Sequence, residues 1–211
     1  VIWSICIAGI PERFHLVQPL LYSLLESQAV ARMSDIELLY LLDSKRRSVG
    51  EKRNALLDMA RGDYISQIDD DDEVSPDYVR RIHDALVDGR RTGKQPDVVC
   101  FGQRATLAPH GIVHECSYSI AHVRRDPRRQ LAPAPGPDGK PLPNVLLWSG
   151  PPAHTMVWRR ALVSDIRFPD AQFGEDAAWC DIASERAKSE VQLGSTLYFY
   201  KFDAERSATR G

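Results

Sequence analysis

Asp69-Asp70-Asp71-Asp72-Glu73 is an unbroken acidic run directly after the apolar residues 64–68. Carboxylates held this close raise one another's pKa unless something positive compensates. A divalent cation is such a partner, and magnesium or manganese prefers hard oxygen ligands. The position also suits a ligand, because open α/β sheets bind theirs beyond the carboxyl ends of strands. The competing reading is a solvated acidic turn leading into the next helix, where negative charge is favourable. Its place after a buried strand favours the site.

Two other clusters carry chemistry. Gly50-Glu51-Lys52-Arg53-Asn54 places Lys52 and Arg53 in the first turn of a helix, where free N–H groups favour anions and cations are mildly unfavourable. A bound phosphate would remove that conflict; plain surface charges are the alternative. Phe173-Gly174-Glu175-Asp176 opens the last predicted helix. A carboxylate pair there is either an ordinary cap or a base placed to take a proton from a hydroxyl. The chain has neither a Walker A run nor Gly-x-Gly-x-x-Gly, so P-loop and dinucleotide-binding readings lack their fingerprints.

The elements that must position these clusters alternate. Residues 1–8 read as a buried strand, then Phe14, Val17, Leu21, Leu24 and Leu25 recur at helical steps. Pro19 either sits in the first turn of a helix starting near Gln18 or kinks it. Residues 36–42 read as a second strand closed by Asp43. Ser48 and Glu51 form a capping-box pattern for a helix turning Ala55, Leu56 and Met59 inward. Residues 64–68 form the third strand, and Ser75-Pro76 predicts the start of a helix burying Tyr78, Val79, Ile82 and Leu86. This alternation predicts an α/β fold with a mainly parallel sheet in its first part.

The second half reads differently. Strands are predicted over residues 98–103, 113–123, 155–158 and 192–202, the second paired antiparallel with a neighbour. Residues 124–144, with Arg124, Arg125, Arg128, Arg129 and six prolines, read as one long loop. A helix over residues 175–188 presents Ala178, Trp179 and Ile182 to the core.

Composition bounds the rest. With 211 residues, 43% hydrophobic and 27% charged, the chain has a core of its own and is not disordered throughout. Twenty-seven Lys+Arg against 29 Asp+Glu give −2, so no overall basic field advertises nucleic acid or a membrane. There is no apolar run of 18 residues, hence no expected membrane span. The apolar start lacks a basic leader and is interrupted by Pro11, Glu12 and Arg13, which predicts a first strand in a cytoplasmic protein. The four cysteines show no zinc-site spacing; two lie within apolar stretches and read as small buried hydrophobes, and nothing in the sequence requires a disulfide or excludes one.

Taken in order, these pieces resemble the family 2 glycosyltransferases. The resemblance rests on the loop Ala8-Gly9-Ile10-Pro11-Glu12-Arg13, on Asp43 ending the second strand, and on the Gly-x-x-Arg-Asn helix at Gly50 to Asn54. The Asp-x-Asp strand end at Asp69 to Asp72 and the later Glu175-Asp176 complete it. It implies a GT-A fold, a mixed central sheet flanked by helices, as one domain over 1–211. Residues 1–103 would form the nucleotide-sugar half and 104–211 the acceptor half. By the same resemblance Asp43 would bind the nucleobase, usually uracil, and Arg53 the phosphates. Pro11, Arg13, Lys52 and Asp70 would join the donor-binding set. Asp71, assisted by Asp69, would hold manganese or magnesium. Asp176 would be the base for an inverting transfer, and Glu175 would orient the acceptor or the donor sugar.

Pro152-Ala153-His154 and the aromatic strand Leu197-Tyr198-Phe199-Tyr200 resemble small soluble members common in phages and bacteria, and His154 would line the donor or acceptor pocket. The acceptor reads as a small molecule, a glycan or, through Arg124 to Arg129, hydroxymethylated DNA. A homodimer is compatible with all of this. Two rivals remain: a nucleotidyltransferase acting on a sugar phosphate, for which Gly9 to Arg13 is a poor match, and a non-catalytic nucleotide- or glycan-binding module.

Overall fold

The computed structural model describes residues 1–30, 33–122 and 131–203. The first half runs β1 (Trp3–Gly9), a 3-10 turn (Pro11–Arg13), α1 (Phe14–Val30), β2 (Ile36–Leu42), α2 (Val49–Met59), β3 (Tyr64–Asp69), β4 (Glu73–Val74) and α3 (Tyr78–Thr92). The second half is rich in strands: β5 (Val98–Ala108), β6 (Ile112–Tyr118), β7 (Ala132–Pro135), β8 (Pro141–Gly150) and β9 (Val157–Arg159). It ends with the single turn α4 (Arg160–Val163), then α5 (Glu175–Arg186) and β10 (Glu190–Asp203).

One mixed sheet results, ordered β2-β1-β3-β9-β5-β6-β8-β7, with β10 parallel to β5 and β4 antiparallel to β10. β1 pairs parallel with β2 and β3, as helical crossovers require, while β9 runs antiparallel to both β3 and β5. β6 is antiparallel to β5, as expected. The core is aromatic at its centre. Tyr78 packs between Trp3 and Phe101, and Trp179 stacks on Phe168 with a ring separation of 4.8 Å.

Several expectations are corrected by how the helices sit. α1 begins at Phe14 and carries Pro19 inside it. Its buried stripe is Val17, Leu20 and Leu24, leaving Phe14 and Leu25 exposed. In α2 the inward residues are Leu56 and Leu57 while Met59 is exposed, because Lys52 and Arg53 also face inward and set the rotation of the helix. α3 buries the four residues expected, but its N-cap is Asp77; Ser75 Oγ, two residues earlier, accepts from the Asp77 N–H. α5 buries Trp179, Cys180 and Ala183 and turns Ala178 and Ile182 outward.

Within the expected long loop, residues 132–135 form a strand and residue 141 begins another that runs on to Gly150. Proline is a poor guide here because β7 lies at the sheet edge, where a missing N–H costs no ladder bond. The four arginines, Arg124, Arg125, Arg128 and Arg129, lie outside the described residues. Cys6, Cys100, Cys116 and Cys180 are all free. No described helix is long and apolar enough to cross a membrane.

Candidate active site

The carboxyl ends of β1 and β3, the start of α2 and the start of α5 converge on a cleft of about 850 Å³. Parallel strands with helical crossovers leave their loops at one edge, so this placement follows from the topology. Arg13, Lys52, Arg53, Asp69 to Asp72, His154, Glu175 and Asp176 all line it. Two expected residues do not. Pro11 is exposed and opens the turn that carries Arg13. Asp43 touches two lining residues, accepting from the Lys45 N–H at 3.2 Å and lying 3.6 Å from Lys52 Nζ. Its second oxygen, Oδ2, is buried without a hydrogen-bond partner among the described residues.

The Gly-x-x-Arg-Asn segment works as a clamp on the chain leading into α5. The predicted capping box at Ser48 and Glu51 is formed in both directions and fixes where α2 begins. A Cβ on Gly50 would sit 1.8 Å from the Pro169 carbonyl oxygen, so only glycine allows this approach. Asn54 donates to the Phe168 carbonyl and accepts from the Phe168 N–H, each at 2.9 Å. Between them, Arg53 is 3% exposed, donates to Glu175 at 3.0 Å and to Asp69 at 2.7 Å, and lies over the Phe168 ring. Within the protein itself, the charge of Arg53 early in the helix is met by these two carboxylates.

The acidic run divides into distinct roles. Asp72 turns inward, accepting from the Tyr198 hydroxyl at 2.6 Å and the Lys201 N–H at 3.1 Å. Burial, and then Asp69, push its pKa well up. Asp69 is paired with Arg53 on one side and lies 3.5 Å from His154 Nε2 on the other. Burial opposes its charge, but those two cations hold its pKa below the usual range. Arg13 pairs with both Asp70, at 2.9 Å, and Asp71. Burial nevertheless raises Asp70 to about 6, against the pull of Arg13.

His154 is 8% exposed, and its Nδ1 lies 3.3 Å from Asp176. Burial and Arg53 both oppose its charge, yet the carboxylates of Asp176 and Asp69 raise its pKa well above the ordinary value. In return, despite the cost of burial, His154 lowers the pKa of Asp176 to about 2. The side chain of Asp176 stays 37% exposed, ionised and open to the cleft.

The pattern of Glycosyl transferase family 2 matches residues 24–135, more than half of the chain. The chain belongs to glycosyl transferase family 2. No curated protein matches it at the level of sequence. Among solved structures it is similar to S. aureus TarS 1-349 in complex with UDP-GlcNAc, at 16% identity and TM-score 0.58, over 96% of this chain and 59% of that one. The complex of TarS 1-349 with UDP gives 16% and 0.58 over 97% and 62%, and the longer TarS chain is covered over 37%. This chain therefore spans about three fifths of TarS 1-349, and the likeness establishes a shared GT-A fold.

A family 2 site is expected to use a divalent cation. Among the described residues no group of three or more His, Cys, Asp or Glu is arranged to hold one. Asp69 is already neutralised by Arg53 and His154, whereas Asp71 is 33% exposed and pairs with Arg13, and burial together with the charge of Asp69 raises its pKa. This donor set fits a cation that takes one carboxylate from the protein and the remaining oxygens from a bound diphosphate.

The family 2 cleft also contains residues that sequence reasoning missed. Lys45 and Arg47 line it from the loop after β2, and the basic run Lys45-Arg46-Arg47 next to Asp43 was the available signal. Tyr118 lines it from the end of β6, with no signal in its local sequence. Phe173 is 78% exposed at the cleft, and Gly174, at φ +75°, turns the chain into α5.

Proposed function

We propose that the chain transfers a sugar from a uridine-diphosphate-linked donor to an acceptor hydroxyl, inverting the anomeric configuration. The observation that carries this reading is Asp176, an ionised, accessible carboxylate on the same cleft as Asp71 and the basic residues Lys45, Arg47 and Lys52. Residues 1–103 would hold the donor and 104–211 the acceptor. The unpartnered Asp43 Oδ2 suits the imide N–H of uracil. TarS complexes with UDP and UDP-GlcNAc make uridine nucleotides the first donors to test.

Manganese or magnesium held by Asp71, with Asp69 nearby, would neutralise charge on the departing diphosphate. Lys52 and the basic loop add positive charge on the same side. The acceptor oxygen attacks the anomeric carbon opposite the diphosphate, and the bond from that carbon to the phosphate oxygen breaks with its electrons. The hydroxyl proton passes to Asp176. A carboxylate with a pKa of about 2 accepts it only as the oxygen becomes bonded to carbon and turns strongly acidic. Glu175 does not take that proton; its contact with Arg53 locks the start of α5 in place.

A thermal-shift panel of nucleoside diphosphates, with and without manganese, tests the donor site. The expected result is a manganese-dependent shift with UDP that Asp43→Ala and Asp71→Ala abolish. Product configuration read by NMR tests inversion. A folded protein that answers to no nucleotide would sink the transferase reading.

A further inference from the structure

A second, smaller cavity of about 170 Å³ lies behind Asp176, walled by Tyr118, Trp148, Pro151 and Pro152. Tyr118, Ala153 and Asp176 belong to both cavities, so the carboxylate stands where the two meet. We infer that the small cavity is the acceptor subsite and that it takes a neutral sugar ring, stacked on Trp148 with a hydroxyl presented to Asp176. This rests on the transferase reading above and deepens it by naming the acceptor class.

Three observations carry the inference. First, the wall is held in place: Trp148 meets Tyr118 edge-on at 5.4 Å, with β8 and β6 in parallel register at Cys116 and Trp148. Second, Gly150 lets the indole fold back onto the backbone, since an added Cβ would lie 2.0 Å from the ring. The bare glycine thus sets the angle of the platform. Third, none of the described residues lining the cavity is basic, and its one ionised group is Asp176. Among the described residues that line it, a phosphate or nucleic-acid acceptor would meet a carboxylate and no cation. A sugar presents an apolar C–H face to an aromatic ring and a hydroxyl donor to a carboxylate, which is what this lining offers.

Trp148 is also a built-in reporter, because the other three tryptophans, Trp3, Trp158 and Trp179, are fully buried. The test titrates UDP-saturated protein, with manganese, against a panel of neutral methyl glycosides and against glucose 6-phosphate, by calorimetry for every variant and also by tryptophan fluorescence where Trp148 is present. At least one neutral glycoside should quench the signal and bind tenfold or more tightly than the phosphate. Trp148→Ala should weaken that binding at least tenfold and Trp148→Phe by no more than about threefold. Gly150→Ala, which displaces the ring, should fall with Trp148→Ala. UDP binding should be unchanged in all three, which shows that each variant is folded and its donor site intact.

Glycoside binding unmoved by Trp148→Ala, no response to any neutral glycoside, or preference for the phosphate would overturn the subsite while leaving the donor reading standing. Failure of the wild-type protein to bind UDP would instead remove the donor reading and the subsite with it.

Discussion

Nδ1 of His154 lies 3.3 Å from the Asp176 carboxylate, while Nε2 of the same ring lies 3.5 Å from Asp69. One buried imidazolium thus joins the candidate base to the acidic strand end. The charged ring helps both carboxylates to stay ionised, at Asp69 together with Arg53. The ring belongs to the loop before β9, so a late segment of the chain ties together residues that precede and follow it.

That ring should make stability depend on alkaline pH. Its folded pKa is raised above the unfolded value of about 6.5. The stabilisation is therefore complete below about pH 6.5 and is lost as pH rises through the folded pKa. Melting temperatures across pH 6 to 10 should fall for the wild type and be flatter for His154→Gln. Parallel curves would show that His154 does not carry the linkage.

Asp176→Asn removes the proton acceptor and keeps the shape. Turnover should drop roughly 10² to 10⁴-fold, the usual range for losing a general base, with UDP affinity unchanged. Steady-state kinetics beside calorimetry would separate the two; retained turnover would exclude Asp176 as the base.

Arg53→Met leaves Asp69 and Glu175 facing each other without their shared cation. Breaking a buried pair in this way costs about 3–5 kcal/mol, and urea unfolding should show a loss of that order. A loss below 1 kcal/mol would mean that the carboxylates reach water or another cation.

Gly50→Ala drives a methyl into the Pro169 carbonyl. The expected cost is about 1–3 kcal/mol, as for other overpacked sites. Because residues 168–171 lead directly to Glu175 and Asp176, activity should fall more steeply than stability. Full activity at the native melting temperature would show that the segment shifts freely.

Arg13 sits where a divalent cation would find the charge of Asp70 and Asp71. Arg13→Ala should tighten manganese binding to the nucleotide-free protein, on the order of tenfold, as read by calorimetry. Unchanged affinity would mean that the arginine and the metal do not compete.

How much of this was legible depends on whether a signal was local. The Asp run, the capping box at Ser48 and the Glu175-Asp176 pair were readable because each lies within a few consecutive residues, and each falls on the cleft or at α2. Arg53 was expected to meet the nucleotide phosphates; the structure adds two carboxylate partners, 16 and 122 positions away. Nothing in the neighbourhood of residue 53 announces that. Trp148 and Tyr118 are brought together by strand register between β6 and β8, which sequence periodicity does not encode. The helix faces of α1, α2 and α5 were each off in part, because buried charge or a shifted apolar stripe fixed the rotation.

β9 separates β3 from β5 in the sheet although about 50 residues of chain lie between the end of β5 and its own start. During synthesis, β3 and β5 therefore emerge with a gap between them that only a much later three-residue strand can fill. At roughly 5–20 residues per second, that gap stands open for several seconds on the ribosome. Over that interval the facing edges of β3 and β5 offer unpaired backbone to any neighbouring strand, so the growing chain is open to mispairing before its cleft exists.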